Sequence, residues 1–310
     1  MNAQFSLKDL GPLSFFLGVE VSYRGCDVVL SQQKYIQDLL QKHGFGGVKS
    51  LPTPMVSNIK LSTKEGTPLE DAAQYRSIVG ALQYIVITRP DVAFAVNRVC
   101  QFMQASLDVH FLAVKRILRY LQGTVDFGLR FTPSSRMALT GFVDANWGSD
   151  VDDRLSTSGF CIYFCGNLVS WSSKKQQVVA RSTAEAEYRS VACAAAEMVW
   201  LRSLLGELHI VTHGKATLWC DNTSAVTVCA NPVLHSKFKH VELDLFFVRE
   251  MVAMGQLQVH KVPAVEQTTV AGDAAQEQIS LSLKEPAELG KAEFQMILNP
   301  NCRGRACAWR

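Results

Sequence analysis

Three carboxylates fall where one kind of secondary structure is expected to give way to another, and acidic side chains placed there can do chemistry. Asp144 follows the strand-like run at 137–143 (MALTGFV). Glu187 lies early in a long helical pattern at 183–205 (TAEAEYRSVACAAAEMVWLRSLL). Asp221 follows ATLWC. Strand ends beside a helix start can bring three acidic groups to one point at a sheet edge, where they repel one another unless a cation neutralises them. Oxygen donors alone favour Mg2+ or Mn2+ over zinc. Two such ions close together can activate a water and stabilise the leaving oxygen of a phosphodiester. Plainer roles fit the same residues. Asp221-Asn222-Thr223 can cap the next helix or shape a turn, and Glu185 and Glu187 can complement the helix dipole. Spacing leaves both readings open.

Basic residues gather in three places. Lys174, Lys175 and Arg181 surround the approach to the long helix; His235, Lys237, Lys239 and His240 precede a helical run near 241; Lys115, Arg116 and Arg119 share a helix with apolar Ile117, Leu118 and Leu121. Each cluster is either a solvated face or a track for phosphates that adds salt-dependent, sequence-independent affinity. Trp147 and Trp171 read as core or rim packing.

The elements that must position these residues change rhythm near 133–136 (PSSR). Before it, runs at 13–21 and 27–32 flank a turn at Arg24-Gly25 and predict a hairpin, and Ser31 is placed to cap a helix ending at Gly44. A connector without periodicity covers 47–69. Three helical patterns follow: AAQYRSIVGALQYIVI, PDVAFAVNRVCQFMQ with Pro90 in its first turn, and HFLAVKRILRYLQ. After the boundary come three strand-like runs (137–143, 159–164, 168–172), the long helix, ATLWC, TSAVTVCA, VELDLFFVREMVAM and LQVHKV. A meander followed by alternating helix and strand predicts an α/β sheet of mixed direction.

Composition narrows the function classes. With 310 residues, 48% hydrophobic and 19% charged, the chain is globular and has room for two cores. A net charge of +3 is too small to mark a dedicated duplex binder, so nucleic acid must be argued from local patches. No run of eighteen apolar residues occurs, so no membrane partner is expected. The N-terminus MNAQFSLKDLG has no secretory h-region, and an intracellular site is expected. Nine cysteines form no CxxC pair; Cys161 and Cys165 read as sharing a strand face, and all are expected to be reduced.

The run VDANWGSDVDDRLSTSGFCIYFCGNLVSWSSKKQQVVARSTAEAEYRS, then LWCDNTSAV, then NPVLHSKFKHVELDLFFVRE, resembles the RNase H region of copia-type retrotransposon Pol polyproteins. The resemblance implies an α/β, RNase H-like five-stranded mixed sheet with flanking helices over 137–271. It also implies Mg2+- or Mn2+-dependent cleavage of the RNA strand of an RNA–DNA hybrid at a two-ion site. Asp144, Glu187 and Asp221 match the family's catalytic, metal-holding positions. Val270 stands where a fourth aspartate is expected, with Asp273 three residues on; the loss would weaken the two-ion site. Asn146 and Phe246 are smaller departures.

FSLKDLGPLSFFLGVEV, LSQQKYIQDLLQKHGF, YRSIVGALQYIVITRPDVAFAVNRVCQFM and HFLAVKRILRYLQGT are similar to the distal reverse transcriptase of the same polyproteins. Residues 1–132 would then be a mostly helical thumb and connection remnant with an N-terminal hairpin, lacking the polymerase's Tyr-x-Asp-Asp turn, which the resemblance places upstream, in a polymerase portion that would be a partner. Residues 272–310 match nothing and are expected to form a divergent, poorly ordered tail. Two functions are therefore expected: an RNase H-type endonuclease, or a decayed relic that at most binds nucleic acid.

Overall fold

The computed structural model describes residues 11–56, 59–230 and 241–261. Its first half holds β1 (Phe15–Phe16), β2 (Val19–Arg24), β3 (Asp27–Ser31), α1 (Gln33–Lys42), α2 (Ala72–Ile85), α3 (Ala93–Cys100), α4 (Asp108–Gln122) and β4 (Gly128–Phe131). The strands form an antiparallel sheet in the order β1-β2-β3-β4.

The expected hairpin is β2–β3, turning at Gly25 and Cys26 between paired Arg24 and Asp27. The run 13–21 is not one strand. It folds back at Leu17 and Gly18, both at positive φ (48° and 78°), a twist suited to a two-residue hairpin turn. Nor does Ser31 cap α1, because it is paired in β3 with Glu20 and Gly128. The cap comes from across the hairpin, where the backbone N–H of Lys34 donates to Glu20 Oε1 at 2.8 Å. Ile36, Leu39, Leu40, Tyr75, Ile78, Leu82, Val96, Val114, Ile117 and Leu121 bury the helical core of this half, as the apolar periodicity of each helix requires.

The second half holds β5 (Leu139–Asn146), β6 (Thr157–Phe164), β7 (Asn167–Lys175), α5 (Thr183–Glu207), β8 (Ala216–Cys220), α6 (Thr223–Ala230), α7 (Glu242–Ala253) and β9 (Leu257–Lys261). Its sheet order is β7-β6-β5-β8-β9. The pairs β5–β6 and β6–β7 are antiparallel, whereas β5–β8 and β8–β9 are parallel. This is the mixed five-stranded sheet that the pattern predicts. Alternate strand residues Leu139, Val143, Phe160, Ile162, Leu218 and Leu257 share one core with residues of α5, α6 and α7. The reverse face carries Cys161, Tyr163 and Trp171. There α3, from the first half, lines a cleft with Trp171 and Ser173.

The seven cysteines among the described residues are free. Cys165 does not share a strand face with Cys161; it lies past β6 at φ 55°. No helix among the described residues is long and apolar enough to cross a membrane. Val270, Asp273 and the tail 272–310 lie outside the described residues.

Candidate metal centre

β5 and β8 run parallel, in register from Thr140↔Thr217 to Phe142↔Trp219. Two residues further along both strands stand Asp144 and Asp221, so parallel pairing alone brings these carboxylates to one end of the sheet. The long helix delivers the third. Ser182 caps α5, accepting from the N–H of Glu185 at 3.2 Å, while Glu185 Oε2 accepts from the N–H of Arg181 at 2.8 Å. Glu185 also pairs with Arg189 at 3.1 Å. Of the two early glutamates, Glu185 therefore takes the capping role. Glu187 turns to the sheet, where its Oε1 accepts from the N–H of Ala145 at 3.2 Å. In the same way Asn222, not Asp221, caps α6 by accepting from the N–H of Ala225 at 3.1 Å.

The site is poor in compensating charge. Glu187 is 3% exposed; burial, then the charges of Asp144 and Asp221, push its carboxyl up to about 9. Burial and then Asp221 raise Asp144 to about 6. Burial raises Asp221 as well, opposed by the Lys261 ammonium. Three acids held above their ordinary range at one sheet end form a place where a cation would relieve both desolvation and mutual repulsion.

One residue of the cluster escaped the sequence reading. Ligand atoms of Glu187, Cys220 and Asp221 all lie within 4.8 Å of one another, and the Cys220 thiol donates to Glu187 Oε2 at 3.9 Å. Asp144 stands beside this tight set and is coupled to it through charge. The signal for Cys220 was its place in WCDN, directly before Asp221, but an apolar strand makes any cysteine look like core filler.

No family model matches the chain. It is 45% identical over 267 residues to the retrovirus-related Pol polyprotein from transposon RE1 of Arabidopsis thaliana, covering 86% of this chain and 18% of that protein. The uncharacterized mitochondrial protein AtMg00810 of Arabidopsis thaliana is 41% identical over 201 residues, covering 64% of this chain and 83% of that protein. The chain resembles one segment of the retrovirus-related Pol polyproteins of transposons, at 37–45% identity over 86% of its length. It spans 18–21% of the length of the Pol polyproteins it matches. Among solved structures, LC11-RNase H1 isolated from compost is 14% identical, with a TM-score of 0.32 over 41% of this chain and 85% of that one. The RNase H-like fold rests on the strand order, strand directions and helix placement described above.

Several basic residues of this chain are engaged in holding it together. Arg116 donates to Thr53 Oγ1 at 2.7 Å and Arg119 to the carbonyl of Lys49 at 2.8 Å. Lys115 sits 4.8 Å from the centre of the Phe111 ring. Together the two arginines clamp the connector onto α4. Lys175 is bound to Asp150 at 2.8 Å and Asp153 at 2.7 Å, which keeps its ammonium charged above the usual range. Lys174 and Arg181 are exposed and stand at the end of β7 and the start of α5. Trp147 lies at the rim, its indole N–H donating to the carbonyl of Ala180 at 2.9 Å. His235, Lys237, Lys239 and His240 lie outside the described residues.

Proposed function

We propose that residues 137–271 of this chain are an RNase H-type endonuclease unit, hydrolysing the RNA strand of an RNA–DNA hybrid with Mg2+ or Mn2+, and that residues 1–132 are the distal reverse transcriptase remnant before it. The observation that carries the reading is the convergence of Asp144, Glu187 and Asp221 at the shared end of β5 and β8, all three raised by burial, and Asp144 and Glu187 also by neighbouring carboxylate charge. Their oxygens suit a hard divalent cation, and these residues would hold it. When bound, such ions supply an activated water and charge stabilisation at the scissile phosphate. The Ala145 N–H aims Glu187 into the cluster, and parallel register sets the spacing of Asp144 and Asp221. Lys174 and Arg181, beside the site and exposed, are the described residues free to run along a phosphate backbone; Lys237, Lys239 and His240 are proposed for the same track. The hybrid, and the polymerase portion of the polyprotein, are the proposed partners.

The test is cleavage of a labelled RNA–DNA hybrid in Mg2+ and then Mn2+, comparing the chain with Asp144→Asn. The chain is expected to cleave, and Asp144→Asn to lose about a hundredfold or more of the rate. A folded chain inert with both ions would replace the nuclease by a relic that at most binds nucleic acid.

A further inference from the structure

A centre built for Mg2+ has no use for sulfur, yet a buried thiol stands in this one. Cys220 is wholly buried at the end of β8, with Sγ 3.9 Å from Glu187 Oε2. In a tetrahedral zinc site with Zn–S near 2.3 Å and Zn–O near 2.0–2.2 Å, neighbouring sulfur and oxygen atoms lie about 3.5 Å apart. A shift of a few tenths of an ångström would therefore bring this pair to ligating distance. The third donor, an Asp221 oxygen, falls within the same 4.8 Å set.

We infer that Cys220, Glu187 and Asp221 form a site for one thiophilic divalent cation, Zn2+ or Cd2+, distinct in its donors from the oxygen-only set that includes Asp144. The inference rests on reading the cluster as a cation site and is independent of hydrolysis. Softness decides between the two sets. Thiolate selects Zn2+ and its heavier analogue, whereas carboxylate oxygens suit Mg2+ and Mn2+. On binding, the Cys220 S–H bond and the Glu187 carboxyl O–H bond break, both protons pass to buffer, and the thiolate lone pair forms the S–metal bond. An ion seated there takes Glu187 and Asp221 away from the hard-metal set, making the centre one that thiophilic cations would block. Three protein ligands leave a fourth position to water.

Cadmium is the direct probe, because a thiolate bound to Cd2+ gains a charge-transfer absorbance in the ultraviolet that carboxylates do not give. The full chain would carry Ser at Cys26, Cys193, Cys302 and Cys307, removing the exposed thiols among the described residues and those of the C-terminus. One equivalent of Cd2+ should develop the band, and calorimetry with Zn2+ should show one matching site. Cys220→Ser should abolish the band. Asp221→Asn keeps the thiol and should weaken both metals by at least about tenfold, the loss expected from removing even an outer partner of a ligand. A band untouched by Cys220→Ser overturns the site. So does a band that needs Cys220 but ignores Asp221→Asn, which marks a lone thiol. Hybrid cleavage in Mg2+ is scored separately. Cysteine-dependent cadmium binding without cleavage supports this site and removes the nuclease, whereas cleavage with cysteine-independent cadmium binding removes this site alone.

Discussion

At the scale of single residues, Glu187 makes the chemistry of the centre measurable without a substrate. Its folded carboxyl is held at about 9, above the ordinary glutamate value, so the folded chain keeps a proton that the unfolded chain has already released. That contribution is complete below the ordinary range near 4 and is lost as pH rises toward 9. Asp144, held at about 6, adds to the same fall at its lower end. In chelator, the Tm should therefore decline between pH 5 and 9, and Mg2+ or Mn2+ should flatten the slope. Glu187→Gln cannot ionise, so its chelated Tm should decline less and should exceed that of the parent above pH 8. Each pKa unit removed is worth about 1.4 kcal/mol, or about 3–6 °C of Tm in a domain of this size. Identical slopes for parent and variant would show that Glu187 does not carry the shift. The carboxylates were legible because strand ends and helix starts leave marks in sequence. The fates of Arg116, Arg119 and Lys175 were not, since a long side chain meets whatever tertiary neighbour is near, here Thr53, Lys49 and Asp150.

At the scale of elements, periodicity located what lies along the chain and missed what crosses it. ATLWC, TSAVTVCA and the long helix stand where apolar spacing put them, because each buries its own face. β4 was invisible, since its partner β3 lies about a hundred residues earlier: Gly128 faces Ser31, and Phe131 faces Val28. Gly128 also explains how the strand closes the first sheet. A Cβ there would come 2.3 Å from the carbonyl oxygen of Leu30, a backbone atom that cannot rotate away. Gly141 in β5 is crowded differently, by the flexible ends of Leu218 and Met198, each 2.7 Å from an added Cβ. Overpacking costs about 1–3 kcal/mol. Gly128→Ala should fall at the upper end of that range and Gly141→Ala toward the lower, as read by urea denaturation. The reverse ranking would mean that β3 and β4 can part more easily than the core can repack.

At the scale of the whole molecule, the loop 147–156 connects the five-stranded sheet to the helical half. Asp150 accepts from Lys175 at 2.8 Å and from Arg98 of α3 at 3.3 Å, and the Arg98 and Asp150 side chains are nearly inaccessible to solvent. Two residues on, Asp152 accepts from Ser62 Oγ at 2.6 Å and from the Thr63 N–H at 2.7 Å, which holds it well below the usual carboxylate range. The same loop follows directly on β5, the strand that presents Asp144, so the first half steadies one side of the candidate metal centre while contributing none of the three carboxylates. Nothing in the sequence marks Asp150 as different from Asp152 or Asp153; only the folded position of α3 does. Removing one member of a buried pair strands the other charges, at a cost of about 3–5 kcal/mol. Asp150→Ala should lower the unfolding free energy by that much, with a matching fall in midpoint, and split one calorimetric transition into two as the halves lose their shared anchor. Asp152→Ala, which strands no buried charge because Ser62 and Thr63 are neutral, should shift the midpoint far less and leave one transition. A single, unshifted transition in Asp150→Ala would show that α3 packing against β7 joins the halves without the ion pair.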